Sequence, residues 1–226
     1  MPVLSVRVFP ESSRTGPQPG KVFIGISLKA GMLPREDMLQ QVFAWTLRQL
    51  GPFSLLLGDH LNRHNYSAFE NLPEDVAESR AIAEGDTAAD ILQRIVENSA
   101  VGTVPIYRAS ELVSTPGYAK QRDMLVQRLG VDDQFRNLIQ RGVDVFMTRN
   151  ARLRASRASV EPHCVAYQIE ELAIFEILAE KGYRTLVYPG AQLPVMKAFA
   201  CGQLTHVSPG LESMSLFEVR LHREPK

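Results

Sequence analysis

The segment Val22-Phe23-Ile24-Gly25-Ile26-Ser27 stands near the start of the chain, and four of its six side chains are bulky and apolar. Such a run is typical of a strand that is covered on both faces of a sheet. A turn and a periodic segment follow, so we predict Ser27 at the carboxyl end of this strand, where open α/β sheets bind ligands. Gly25 lacks a β-carbon and would let a substrate carbonyl approach the backbone. A plainer alternative is that both residues only form a turn and cap the next helix.

The rest of the chain predicts a sheet built from strands and helices in alternation. A helical pattern over 35–50 and a second apolar strand over 53–57 follow the first within about 35 residues, which indicates a right-handed βαβ unit and a parallel sheet. We predict an edge strand over 3–9, further strands at 104–107 and 185–188, and one or two within 203–222. Helices are predicted over 74–98 with an interruption at Gly85, and over 117–129, 133–147 and 160–181. The fold class is therefore α/β, with one domain over residues 1–226.

Composition excludes several classes of protein. The 226 residues carry no net charge, which argues against binding of polyanions by the whole surface but leaves room for a local basic face. No apolar run is long enough to span a bilayer, and no signal peptide is recognisable. Cys164 and Cys201 fit neither a metal site nor a disulfide framework. We expect a monomer in the cytoplasm, without a membrane or a metal as partner.

Two further groups could carry chemistry. Tyr167 and Glu171 are four residues apart on a strongly apolar helical segment, and so share a face. A carboxylate there is costly unless it is paired, so Glu171 requires either a substrate ammonium or an internal arginine, and the sequence leaves both open. Tyr188 ends its own strand and would face the same crevice as Ser27 if the two strands are near neighbours. The alternative for Tyr188 is a rim tyrosine that packs on the core.

These residues and their spacing resemble the cyclodipeptide synthases, a family that makes cyclic dipeptides from two aminoacyl-tRNAs. The resemblance runs from about residue 21 to 195 and rests on the combination of several short motifs, none of which is specific alone. They are Phe23-Ile24-Gly25-Ile26-Ser27, Ser110-Glu111-Leu112 with Thr115-Pro116-Gly117-Tyr118, Tyr167 with Glu171, and Tyr188-Pro189 with Pro194.

The resemblance implies a Rossmann-like sheet similar to the catalytic domain of class I aminoacyl-tRNA synthetases, without a cofactor and without ATP chemistry. It implies that Ser27 is the nucleophile that accepts the first aminoacyl group, and that Gly25 lies beside its carbonyl. Tyr167 and Glu171 would hold the aminoacyl ammonium, with Glu171 also transferring protons, and Tyr188 would serve the closing step.

The sequence departs from the better-known branch of the family in two ways. Ala30 and Pro189 stand where that branch has asparagine and histidine, so the chain resembles the branch named for its tyrosine-proline pair. The better-known branch also carries an arginine- and lysine-rich helix after the second strand, whereas residues 59–97 here hold nine acidic and three basic residues. We therefore expect tRNA phosphates at a later basic run or, alternatively, a merely solvated loop. The run comprises Arg141, Arg149, Arg152, Arg154 and Arg157.

The pocket for the first amino acid is expected to be apolar, with walls from Phe23, Leu56, Ile174 and Leu186, which flank the catalytic positions. Two other functions remain open from sequence alone. A serine hydrolase is one, although Ser27 lacks the glycine that a nucleophile elbow has two residues later. A tRNA-binding module without catalytic activity is the other. Zinc chemistry is disfavoured, because His60 and His64 have no third ligand nearby in sequence.

Overall fold

A six-stranded sheet forms the centre of the computed structural model, which describes residues 3–11, 20–28, 36–151 and 155–222. Its strands are in the order β1-β6-β5-β2-β3-β4. Only β1, at one edge, runs antiparallel to its neighbour, and the other four pairings are parallel. The strands are β1 (Val3–Phe9), β2 (Lys21–Ile26), β3 (Phe53–Leu57), β4 (Ile106–Arg108), β5 (Tyr183–Tyr188) and β6 (Ser215–His222). The predicted α/β class with a mainly parallel sheet is confirmed.

Helices cover both faces of the sheet. In the described part of the chain they are α1 (Glu36–Leu50), α2 (Arg63–Glu70), α3 (Glu74–Glu97), α4 (Ala109–Leu112), α5 (Tyr118–Val131), α6 (Asp133–Arg149), α7 (Arg157–Glu180), α8 (Pro194–Ala200) and α9 (Pro209–Glu212). None of these helices is both long and apolar enough to cross a membrane. The sequence did not predict α2 or the short 3-10 helix before it.

The apolar run of β2 is explained by these two layers. Phe23 points into a core cluster that it shares with α7, whereas Ile24 points into the cluster on the other face, with residues of α1 and α3. Both side chains are fully buried. Because β2 pairs with β3 on one side and β5 on the other, its carboxyl end lies between theirs.

Gly85 does not interrupt α3, which runs through it from Glu74 to Glu97. The predicted interruption is therefore wrong, and the glycine has a packing role instead. A β-carbon at position 85 would lie 2.5 Å from Cβ of Asp59 and 2.9 Å from a guanidinium nitrogen of Arg108. Only glycine lets the helix approach this ion pair so closely.

Candidate active site

The four predicted catalytic residues come together at the carboxyl ends of β2 and β5. Ser27 directly follows β2, Tyr188 ends β5, and Tyr167 and Glu171 lie on α7. All four line one cleft, together with Gly25. Segments up to 161 residues apart in sequence thus contribute oxygen atoms to one site.

The Ser27 hydroxyl is hydrogen-bonded to both phenols of the cleft, those of Tyr167 and Tyr188. Ser27 itself stays partly exposed. A hydroxyl at a strand end, open to a cleft and held by two hydrogen-bonding groups, is placed to react with a molecule that enters there.

Glu171 lies in the same cleft. Burial alone raises the pKa of its carboxyl to about 8. In the described ranges, no lysine, arginine or histidine forms an ion pair with it. The internal arginine that the sequence left open is thus not found among these residues, and the carboxyl has its capacity free for a positively charged group.

Both phenols are strongly desolvated. Burial, followed by the nearby Glu171 carboxyl, raises the pKa of Tyr188 to about 12, while Arg149 and the hydrogen bond from Ser27 act in the opposite direction. The same two causes raise the pKa of Tyr167 well above its ordinary value. Both phenols are therefore protonated near neutral pH and can donate a hydrogen bond or a proton.

Gly25 makes room for the Tyr188 ring. A β-carbon on Gly25 would lie 3.2 Å from Cδ2 of Tyr188 and 3.5 Å from Cδ1 of Leu186. The missing side chain therefore lets the tyrosine lie directly against β2, and it also leaves the backbone of β2 open to the cleft.

The apolar wall of the cleft differs from the expected one. Leu56 lines it as expected, and Leu61, Ala109 and Phe175 line it as well. Three of the expected residues do not line this cleft: Phe23, Ile174 and Leu186. Their side chains are fully buried in the core between the sheet and α7. Strand and helix periodicity identified the correct face but could not tell the core from the cleft.

Asp59 supports this wall, and sequence reasoning assigned it no role. Its fully buried carboxylate accepts hydrogen bonds from the Ser110 amide at 3.0 Å and the Ser110 hydroxyl at 2.7 Å, and from Nε of Arg108 at 2.8 Å. These contacts fix the start of α4, where Ala109 faces the cleft. The available signal was an acidic residue two positions after a buried strand, because a carboxylate that becomes buried there requires several donors.

The basic run after α5 is only partly described. Arg141 and Arg149 are exposed on α6, and Nη2 of Arg149 donates to the Ala191 carbonyl at 3.3 Å. Arg157 is also exposed, but its charge is shared with Asp144 and Glu161. Arg152 and Arg154 lie outside the described residues. Arg149 thus contacts the segment that follows Tyr188, and its positive charge acts to lower the pKa of that phenol.

The side chains that the structure describes include no group of three or more His, Cys, Asp or Glu that could hold a metal ion. His60 and His64 instead lie near carboxylates. Nδ1 of His60 is 3.3 Å from Glu78, and Nε2 of His64 is 3.2 Å from Glu170. These contacts account for both imidazoles as parts of the packing between α2, α3 and α7.

Comparisons with known proteins agree with this geometry. The family model described as "Cyclodipeptide synthase" matches residues 6–178. No curated protein sequence matches the chain. Several solved structures share the fold. A cyclodipeptide synthase from Fluoribacter dumoffii has a TM-score of 0.79 at 18% identity, with 98% of this chain and 100% of that chain covered.

Two further structures extend the comparison. A Mycobacterium tuberculosis protein, described as showing that cyclodipeptide synthetases are related to type I tRNA synthetases, has a TM-score of 0.76 at 18% identity, covering 97% of this chain and 94% of its own. A cyclodipeptide synthase from Candidatus Glomeribacter gigasporarum, solved with Phe-tRNAPhe, has a TM-score of 0.62 at 20% identity, covering 96% of this chain and 93% of its own. The similarity to class I synthetase folds, expected from the sequence, is confirmed at the level of the fold.

Proposed function

We propose that Ser27 carries the first aminoacyl group in this enzyme, which belongs to the cyclodipeptide synthase family and makes cyclic dipeptides from two aminoacyl-tRNAs. The observation that carries the proposal is the convergence of the Ser27 hydroxyl, the Glu171 carboxyl and the Tyr188 phenol in one cleft. An aminoacyl-tRNA is already an activated ester. The reaction therefore needs a nucleophile, an electrostatic environment and correct positioning, and we propose that it needs no cofactor or metal.

In the first step, Oγ of Ser27 attacks the ester carbonyl carbon of the first aminoacyl-tRNA. The bond from this carbon to the terminal ribose oxygen breaks, and the ribose leaves with the proton that the serine gave up. Backbone N–H groups near the turn after Gly25 would stabilise the oxyanion, and the absence of a side chain there lets the carbonyl approach.

Glu171 would bind the ammonium of this aminoacyl group, with Tyr167 beside it. The positive charge of the bound ammonium stabilises the ionised carboxylate of Glu171. The amine must lose a proton before it can attack. Burial raises the pKa of this carboxyl in the free enzyme, so its carboxylate is a stronger base than an exposed one and can accept the proton.

The freed amine then attacks the ester of a second aminoacyl-tRNA and leaves a dipeptide bound to Ser27 as an ester. The terminal amine of this dipeptide attacks the Ser27 ester, the ring closes, and the serine hydroxyl is restored. Tyr188 is hydrogen-bonded to Ser27 and protonated, so it can give Oγ the proton that this leaving group needs.

We further propose that the first amino acid has a small apolar side chain such as alanine. The walls that support this choice are Leu56, Leu61, Ala109 and Phe175, all of which are apolar. A charged side chain would have no partner against such a surface.

We assign the chain to the tyrosine-proline branch of the family on the basis of Tyr188-Pro189. Ala30, the second position that supports this assignment, lies outside the described residues. We also propose that the enzyme acts as a monomer in the cytoplasm.

A serine hydrolase is a poorer fit to the site. The described hydrogen bonds of Ser27 are to two phenols, whereas a hydrolase triad requires a histidine as the base of the serine. Hydrolysis of simple aryl esters by the purified chain, without turnover of aminoacyl-tRNA, would favour that function.

The tRNA backbone would bind along α6 and the segment after it. Arg149 supports this proposal because it is exposed, contacts the segment after Tyr188, and is close enough for its charge to act on the Tyr188 phenol. Substitution of Arg149, Arg152 and Arg154 by alanine should weaken tRNA binding and reduce its dependence on salt. Unchanged affinity of the triple variant for tRNA would refute this surface.

The proposed function is tested by expressing the chain in a bacterium and analysing the medium by mass spectrometry for diketopiperazines. A Ser27→Ala culture is the matched control. We expect one or more cyclic dipeptides from the parent and none from the variant. Equal amounts from both cultures would refute the role of Ser27.

A further inference from the structure

Tyr188 is followed by a short loop, residues 189–193, that is held by a buried carboxylate on the neighbouring strand, Glu218. Glu218 of β6 pairs in register with Tyr188 of β5. In a parallel sheet, paired residues point to the same face, so this carboxylate lies on the cleft side of the sheet, next to the tyrosine. Glu218 is 0% exposed.

Glu218 connects the loop to α8. Its Oε1 accepts a hydrogen bond from the Gln192 amide at 2.7 Å and lies 2.6 Å from Nζ of Lys197. The side-chain oxygen of Gln192 in turn accepts from the Leu193 amide at 3.2 Å, just before α8 begins. One carboxylate thus fixes both the end of the loop and the helix that follows it.

The loop in turn confines the Tyr188 ring. The Gly190 amide donates to the Tyr188 carbonyl at 2.9 Å. A β-carbon on Gly190 would lie 3.3 Å from Cε1 of the ring, while one on Gly25 would lie 3.2 Å from Cδ2. The two glycines therefore approach opposite edges of the phenol, and the position of Gly190 decides how much space the ring has.

Pro189 limits how the chain that leaves Tyr188 can be held. Proline has no amide hydrogen, so the residue after Tyr188 cannot extend the hydrogen-bonding ladder of β5. The chain leaving the tyrosine must be held farther on, and the described contacts that hold it are those of Gly190, of Ala191 with Arg149, and of Gln192 with Glu218.

A fully buried carboxylate is costly unless it is paired and hydrogen-bonded, and Glu218 has the partly exposed Lys197 and the Gln192 amide as partners. These partners hold the end of the loop and the start of α8 in a fixed position around the carboxylate. A fixed loop position affects the reaction only if the loop contacts a catalytic side chain. Gly190 of this loop lies against the ring of Tyr188.

We propose that Glu218 and Lys197 are positioning residues for ring closure: they hold the 189–193 loop against Tyr188 and thereby keep its phenol within reach of Oγ of Ser27. This inference rests on the proposed function, in which Tyr188 protonates the serine as the cyclic dipeptide leaves. Acylation of Ser27 precedes that step and should depend far less on the loop.

The test follows the covalent intermediates of the full chain. Bulk bacterial tRNA charged with the two amino acids found in the product is mixed with an excess of enzyme and quenched at intervals. Intact-protein mass spectrometry then gives the amounts of free, aminoacyl- and dipeptidyl-enzyme, and the released cyclic dipeptide is measured in the same samples. We expect Glu218→Ala to acylate within about twofold of the parent rate and to release product at least about tenfold more slowly, because a displacement of about 1 Å can cost a hundredfold.

Glu176→Ala is the matched control. Glu176 is also a buried carboxylate that accepts backbone hydrogen bonds, from the amides of Gly210 and Leu211, but these lie in α9. We expect this variant to lose thermal stability while the ratio of dipeptidyl-enzyme to product stays that of the parent. Glu218→Gln keeps an acceptor for the Gln192 amide and should accumulate less dipeptidyl-enzyme than Glu218→Ala.

If Glu218→Ala does not fold, Lys197→Met and Gly190→Ala test the same inference from the other side of the loop. Accumulation of dipeptidyl-enzyme in either variant supports it. The inference is overturned if the folded loop variants slow acylation and product release equally, or if they behave as Glu176→Ala does. Absence of any covalent adduct on the parent enzyme is a separate result, and it would instead refute the proposed role of Ser27.

Discussion

Replacement of Glu171 by glutamine should change how the stability of the protein depends on pH. Burial raises the pKa of this carboxyl from 4.5 to about 8 in the folded state. Between these two values the folded chain holds a proton that the unfolded chain releases, so the free energy of unfolding falls as pH rises through this window. Glutamine has nearly the same shape but no titrating proton, and the variant should therefore lack this decline.

The size of the change in stability follows from the shift of the Glu171 pKa. At about 1.4 kcal/mol per pKa unit, the full shift corresponds to roughly 5 kcal/mol. The cleft leaves Glu171 partly open to water, which solvates the ionised form and reduces the penalty. We therefore expect the stability of the parent relative to Glu171→Gln to fall by about 2 kcal/mol between pH 5 and pH 9.

Urea unfolding at intervals of one pH unit measures this difference. Trp45 is the single tryptophan and packs against Phe217, with ring centroids 6.1 Å apart, so its fluorescence reports the loss of tertiary structure. Glu180→Gln removes an exposed carboxyl from the same helix. This variant is the control for the loss of a carboxyl from this helix. Parallel profiles for the parent and Glu171→Gln over the whole range would refute the desolvation of Glu171.

Two further predictions concern packing and ring closure. Gly142→Ala should destabilise the protein by about 1 to 3 kcal/mol, because the added β-carbon would lie 2.0 Å from Oε1 of the buried Gln168. Gly130→Ala is the control, because Gly130 also lies in a helix but no atom is within 4 Å of the added β-carbon. This variant should be as stable as the parent or more stable by up to about 1 kcal/mol. Equal urea midpoints of the two variants would contradict this account. Tyr188→Phe should acylate Ser27 but accumulate dipeptidyl-enzyme, since it lacks the phenolic proton, and mass spectrometry of the quenched enzyme checks this; product release at the parent rate would exclude Tyr188 as the proton donor.

Much of the fold could be predicted from periodicity. The nearly continuous apolar runs of β2 and β3 exist because helices cover both faces of the sheet, and this burial is what the sequence pattern reflects. Gly85 was misjudged for a physical reason. Glycine lowers helix propensity, but tertiary packing against Asp59 overrides that preference.

The candidate site was predictable where strand ends and helix faces fix a side chain. Ser27 and Tyr188 could be placed because a parallel sheet aligns the carboxyl ends of its strands, and Glu171 because it shares a helical face with Tyr167. The supporting groups could not be found in this way. The side chain of Asp59 is paired with Arg108, 49 residues away, and that of Glu218 with Lys197, 21 residues away. Contacts over such sequence distances leave no local pattern in the sequence.

The central claim is that Ser27 forms an ester with the first amino acid. The most direct measurement is the intact mass of the enzyme after brief mixing with bulk bacterial tRNA charged with a single amino acid, followed by peptide mapping of the modified residue. This account predicts an added mass of one aminoacyl residue on Ser27 and no adduct on Ser27→Ala. A cyclic dipeptide formed without any adduct, or an adduct on another residue, would contradict it.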